Sequence, residues 1–353
     1  MLKKLFKVWF WAIVIIVLVG CAEKKEVINI VIPSPPNEPR MFLEAVYYGD
    51  ANFKEKSFID NALGELADIS GYNLAKPYGV TANGDSIYVA DTAYHAVFDI
   101  NEKLKKVSLI GKGSDGVLDL PIDLATDDEN NLYVSDAKQA RVLVYNKDGR
   151  FIRVIGEKGV YNKPTGIAIN SVSNKIYVVD TKDHNVKVFT LDGKKLFSFG
   201  KRGTGEGEFN YPTNVAVDRR NENIVIVDTQ NFRVQVFDKD GKFIRKFGKI
   251  GDGLGMFARP KGVGIDSDGN IYVADAAFNN IQVFNDAGEL LTYFGGTGRK
   301  AGEYTLITGI YIDKNDRIYV VDSFNRRVQV YQYFTEIWKK NNPVKYKELI
   351  KNY

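Results

Sequence analysis

Hydrophobic and polar residues alternate along most of this chain in short bursts, and the bursts return at a regular interval. The stretch IVIVDTQNFRVQVFD, residues 224–238, alternates up to Asp228, turns through polar residues and alternates again. Equivalent stretches begin at Ile87, Leu132, Ile176, Ile271 and Ile318. Their marker aspartates, Asp91, Asp136, Asp180, Asp228, Asp275 and Asp322, are separated by 45, 44, 48, 47 and 47 residues. A period in this range signals a propeller, a solenoid or an array. In the third repeat, TGIAIN, KIYVVD, NVKVFT and KLFSFG are four period-2 segments divided by turn residues. No ten-residue window there has helical spacing, which excludes arrays of helix pairs, and the coils of a β-helix are far shorter. Four antiparallel strands per unit of about 40–50 residues make one propeller blade. The prediction is therefore an all-β, six-bladed β-propeller.

The sixth repeat has no fourth strand after VQVYQ. The segment MFLEAVYYG, residues 41–49, is similar to GELLTYFGG and supplies it from the other end of the chain. The ring is then closed by an N-terminal strand, which removes the open edge of a linear array. The blades are expected near 77–111, 121–156, 164–200, 212–248, 260–295 and 307–332, the last completed by 41–49, so that the propeller spans 41–332. Residues 1–20 read as a signal peptide, 21–40 as a Pro-rich tether and 333–353 as a C-terminal tail with helical character. Small residues in the first strands (Ala168, Ala216, Gly264) suit crowding at the axis, and aromatic residues such as Phe197 and Phe247 suit the wider gaps outside.

The run GKRGTGEGEFNYPTNVAVD (200–218), followed by Asp228, Asn231, Arg233 and Phe237 in a D-x-x-N-x-R-V-x-V-F pattern, resembles the NHL-repeat family. The run recurs at 248–266 and, in weaker form, at 295–313. The resemblance implies a six-bladed propeller, in agreement with the count above. It says little about activity, because NHL propellers serve as scaffolds, RNA readers, sensors and a few enzymes. The six aspartates read as turn caps for backbone N–H groups. Arg141, Arg233 and Arg327, five residues on, are placed to pair with them, whereas the other blades have Ala96, Asn185 and Asn280.

The first residues carry three lysines and then an apolar run from Val8 to Val19, the layout of a signal peptide. The run is shorter than the ~20 residues of a spanning helix. It ends in Leu18-Val19-Gly20-Cys21, which resembles the lipobox of bacterial lipoproteins, in which the cysteine is acylated. Cys21 is the only cysteine in the chain. The resemblance implies an extracytoplasmic, lipid-anchored protein of the bacterial cell envelope, at the outer membrane or cell surface. Two or three acyl chains, at about 0.8 kcal/mol per buried methylene, make such an anchor effectively permanent.

The chain has 48 basic and 44 acidic residues, and without the three lysines of residues 1–20 the balance is 45 to 44. A dedicated nucleic-acid binder carries a basic excess, so no nucleic-acid partner is expected. Candidate ligand residues come from the position two after each blade-opening proline. Gly79, Gly166 and Gly262 stand there in three blades and Gly309 in the sixth, but Asp123 and Asn214 interrupt the ring. Their oxygens suit a divalent cation such as calcium, although no cofactor is required by the pattern. His95 and His184, the only histidines, occupy the same turn in blades one and three and are the remaining metal candidates. Neither an H-E-x-x-H motif nor a nucleophile elbow is present. The connection from Gly49 to Pro77 is 28 residues long, against 10, 8, 12 and 12 elsewhere. Its Phe58, Ile59, Leu63 and Leu66 have amphipathic helical spacing and suggest a lid or plug. The expected function is a non-catalytic, membrane-anchored binding or scaffold protein that presents propeller loops to an envelope or surface protein. The alternative is a small-ligand or cation sensor, or a metal-dependent hydrolase or lyase, using the central channel.

Overall fold

The computed structural model describes residues 30–33, 38–53 and 71–351. Cys21 and the lid candidates Phe58, Ile59, Leu63 and Leu66 lie outside them. Six antiparallel sheets form the molecule. The third blade shows the plan: inner strand Pro164–Asn170, then Lys175–Asp180, Asn185–Thr190 and the outer strand Lys195–Phe199. Each pairs with the next in simple meander order. The two middle strands are buried on both faces because each sheet is covered by a neighbour on either side, so their runs of Val, Ile and Tyr are nearly uninterrupted.

Six apolar clusters fill the gaps between blades. One lies between blades three and four, where Tyr177, Val179 and Val188 meet Ile224, Ile226 and Phe237. The inner strands form a closed circle in which the sixth, Ile307–Ile312, touches the first, Pro77–Asn83. The circle closes as predicted. Strand Met41–Tyr47 pairs antiparallel with Arg327–Tyr333, from Met41 opposite Tyr333 to Tyr47 opposite Val328. Met41 and Leu43 enter the cluster between blades five and six. On the other side of the seam, Arg317 of blade six bonds Glu44 of the closing strand at 2.8 Å and Glu102 of blade one at 2.8 Å. The Tyr47 hydroxyl also donates to Glu102.

One feature goes beyond the predicted plan. Val31–Ile32 adds a fifth, two-residue strand to the sixth sheet, with Val31 opposite Phe42. The tail forms two short helices, α1 (Glu336–Asn341) and α2 (Pro343–Leu349). The Thr335 side chain caps α1 by accepting from Trp338 N. Phe334 and Trp338 pack on Val31 and Phe42, so tail and N-terminal segment share one small core over the seam.

Candidate functional site

Every marker aspartate is fully buried at the end of its second strand. Asp91 accepts from the backbone N–H groups of Ala75, Lys76, Ala93 and Tyr94 at 2.8–3.0 Å. Asp136 does the same for Asp119, Leu120, Lys138 and Gln139, and Asp275 for Ala258, Arg259 and Ala277. The carboxylate thus ties its own turn to the loop entering the same blade.

The arginine half of the pattern is only partly realised. Arg233 donates to Asp228 at 2.8 Å and to the carbonyls of Thr204, Gly205 and Glu208. Arg327 repeats this with Asp322 at 3.0 Å and with Arg299, Lys300 and Glu303. Arg141 does not pair with Asp136, and its Nε is buried without a partner. The loop into blade two is shorter and presents no comparable row of carbonyls. In blade three Lys187 bonds Asp180 at 2.6 Å instead. Lys187 is two residues beyond Asn185, and so on the same side of the strand as the usual arginine position.

His95 and His184 are turn residues with φ of 52° and 53°. Ala140, Phe232, Asn279 and Arg326 hold the same left-handed conformation in the other blades, so the position serves the turn geometry rather than any imidazole chemistry. His184 Nδ1 accepts from Tyr211 N at 3.1 Å, and the His95 ring contacts the Asp119 carbonyl. They share no partner.

Asp123 and Asn214 do come together. Asn214 Nδ2 donates to Asp123 Oδ2 at 2.8 Å, a bond from blade four to blade two across the channel. Asp123 Oδ2 also accepts from Ile167 N at 3.1 Å, and Asn214 Oδ1 accepts from Val263 N at 3.1 Å. Gly166 lies under this bridge: a Cβ there would stand 2.5 Å from the Asn214 Cα. The glycine ring is thus a consequence of close inner-strand approach. The pair divides the channel into a chamber of about 280 Å³ and a recess of about 30 Å³. The chamber opens among the turns between first and second strands, the end opposite to the loops from which ligand contacts were expected.

Burial pushes the Asp123 carboxyl up to about 7, against the bonds from Ile167, Leu124 and Asn214 that favour ionisation. A raised folded-state value means that stability is greatest below pH 4 and falls as pH rises through about 7. An Asp123→Asn variant keeps both accepted bonds and removes the titration. Relative to the parent, it should gain stability between pH 5 and pH 8, by at most about 3 kcal/mol, less where chamber water solvates the carboxylate. Urea midpoints of both proteins at the two pH values test this; a pH-independent difference would refute it.

Calcium takes 6–8 oxygen ligands. The Asp123–Asn214 bridge offers one carboxylate and one amide, and N–H groups already point at Asp123 Oδ2 and Asn214 Oδ1. Among the described residues no three or more His, Cys, Asp or Glu side chains gather around one point. The bridge does not fit a calcium ion.

A second ring of capping carboxylates closes the first-to-second turns and was not read from the sequence. Asp127 Oδ1 accepts from Glu129 N and Asn131 N, and Tyr133 donates its hydroxyl to Oδ2. Asp266 and Asp313 repeat the arrangement with Tyr272 and Tyr319. Burial pushes Asp266 up to about 6. Its sequence signal is an Asp six residues before a strand Tyr, present in three blades.

Several solved structures share this fold. A protein of unknown function from Bacteroides thetaiotaomicron aligns with a TM-score of 0.60 at 17% identity, covering 83% of this chain and 75% of that one. A streptogramin B lyase gives 0.56 at 11% identity, covering 74% and 94%. Virginiamycin B lyase from Staphylococcus aureus gives 0.55 at 15% identity, covering 75% and 88%. Identities this low show the shared fold alone. No curated protein matches the chain. The family model described as 6-bladed beta-propeller matches residues 162–234, 225–281 and 265–345. With that match spanning more than half of its length, and six antiparallel blades around one channel, the chain belongs to this 6-bladed beta-propeller family, DUF5128.

Proposed function

We propose that this is a non-catalytic binding protein of NHL type, anchored through lipid on Cys21 outside the cytoplasm, whose fourth-to-first-strand loops dock a protein of the envelope. One observation carries the docking face. Six large apolar side chains are exposed at that end of the ring, Tyr72, Val117, Tyr211, Ile250, Leu254 and Phe324, with Ile250 and Leu254 each 66% exposed. The opposite end exposes Leu104 and Val172 on its turns and Ile337 and Val344 on the tail helices, which Thr335 ties to Asp316 of a first-to-second turn. Exposed apolar side chains carried on the loops that enter the blades suit a partner surface. The near balance of acidic and basic residues supports a protein rather than a nucleic-acid partner. The proposed lid of Phe58, Ile59, Leu63 and Leu66 lies outside the described residues, and of its surroundings Gly49 pairs with Asn73.

Two of the similar structures are lyases, and a further one is a catalytically inactive His-to-Ala virginiamycin B lyase from Staphylococcus aureus with quinupristin. The two histidines here lie on outer turns, away from the residues lining the channel, which supports the non-catalytic reading.

Crosslinking in cells followed by membrane fractionation tests the proposal. The parent should pellet with membranes and give a discrete adduct. Cys21→Ser should move the protein to the soluble fraction. Ile250→Asp with Leu254→Asp should remove the adduct, while Leu104→Asp with Val172→Asp should keep it. An adduct that survives the first pair, or a Cys21→Ser protein that stays in the membrane, counts against the respective half.

A further inference from the structure

The chamber end of the channel carries a second, independent site. Four residues after the blade-opening position, the inner strands place Ala125, Ala168, Ala216 and Gly264 in four blades, which keeps the chamber wide. The other two blades break the pattern together, with Tyr311 in blade six and Thr81 in blade one. Arg219, on the first turn of blade four, reaches over blade five to them. Its Nη2 donates to the Tyr311 hydroxyl at 3.3 Å and to the Ile312 carbonyl at 3.2 Å. Both partners are neutral, and Arg219 makes no ion pair among the described residues. Thr81 is fully buried beside the Tyr311 phenol, and its hydroxyl has no hydrogen-bond partner.

Four carboxylates line the chamber and all are already engaged, Asp123 by Ile167 N and Asn214 Nδ2. Asp127 and Asp313 cap their turns and accept tyrosine hydroxyls. Asp128 accepts from Ser171 Oγ at 3.0 Å. The Tyr311 hydroxyl accepts from Arg219 and keeps its own proton to give. A guanidinium with unused N–H groups, a phenol O–H and a threonine O–H thus line a cavity whose four carboxylates are each held by other donors. An unmatched buried hydroxyl costs about 1–3 kcal/mol, and a planar anion satisfies all three groups at once. Lys314 at the mouth adds positive charge.

We propose that the chamber binds a small organic carboxylate. Arg219 and the Tyr311 and Thr81 hydroxyls hold its oxygens, and the Ala125–Ala168–Ala216 wall receives its apolar body. At about 280 Å³ the space suits a small molecule rather than a peptide chain. The site stands apart from the docking face, at the other end of the channel, and does not depend on it.

The test titrates the full chain in detergent with butyrate and benzoate, followed by saturation-transfer NMR and calorimetry, with butyramide and benzamide as uncharged counterparts. At least one carboxylate should bind saturably at one per chain, and neither amide should. Arg219→Gln, on an exposed turn, should melt like the parent yet bind about tenfold or more weakly, the size expected of a lost charge-assisted bond. Thr81→Val, of similar shape, should weaken binding without lowering the melting temperature. Absence of saturable binding of both carboxylates at millimolar concentration, equal binding of the amides, or affinity unchanged by Arg219→Gln would overturn the assignment.

Discussion

Deleting residues 41–47 should lower the thermal midpoint by at least about 10 °C, because the burial of two large side chains is lost together with a strand's ladder. Met41 is fully buried and Leu43 nearly so. Truncating each to alanine costs about 2–5 kcal/mol in a packed core, so Met41→Ala with Leu43→Ala should reproduce much of the effect without shortening the chain. Deletion also leaves the Arg327–Tyr333 edge unpaired on one side and takes Glu44 from Arg317. Burial alone would raise the Glu102 carboxyl, but the hydrogen bonds from Arg317 and Tyr47 outweigh it and hold it below its ordinary value. A depressed carboxyl contributes stability above the ordinary carboxylate range and loses it as pH falls through the folded-state value. The penalty of Glu102→Gln should therefore shrink on acidification. Calorimetric scans of the deletion at neutral pH decide the main point: melting like the parent would mean that the seam is held by something else.

Asp322→Ala should destabilise the protein by about 3–5 kcal/mol, since Arg327 is left as a buried charge without its counter-ion. The aspartate also accepts from Thr305 N, Leu306 N and Asn325 Nδ2. Each orphaned donor adds about 1–3 kcal/mol if water cannot reach it. The cap and the ion pair can be separated. If Asp322 mattered only as the partner of Arg327, the double variant Asp322→Ala, Arg327→Met would recover most of the loss, as replaced buried pairs often do. Here it should not, because the loop carbonyls of Arg299, Lys300 and Glu303 lose their donor as well. Arg141→Met in blade two provides the contrast, with an expected cost below about 1 kcal/mol, since that arginine has no aspartate partner. Urea denaturation of the parent and the three variants measures all of this.

The blades were legible because each repeat states the same period-2 pattern and ends its second strand with an aspartate that has backbone N–H groups to cap. The seam was legible because a fourth strand was missing at one end and surplus at the other. Val31–Ile32 escaped because two residues beside a proline carry no periodicity. The orphaned Arg141 escaped because the repeat motif records the arginine but not the length of the loop it must hold. Lys187 stands two positions off the motif, on the same strand face, where a strict alignment overlooks it. The Asp123–Asn214 contact was suggested by broken ring symmetry, but its direction was not. Which neighbour a polar side chain crosses to depends on the glycine beneath it, Gly166, and on inner-strand spacing that no single repeat encodes. Arg219 carries no signal in the sequence, because only the fold brings a turn of blade four over Tyr311.

The pairing of Met41 with Tyr333 sets an order of events in time. Synthesis delivers Met41 292 residues before Tyr333, so the last sheet cannot be completed until all six blades have been made. Contacts this distant in sequence form slowly, and until they do the early strand remains available to wrong partners. Chains released short of the final repeat should fail as whole molecules rather than fold into smaller rings.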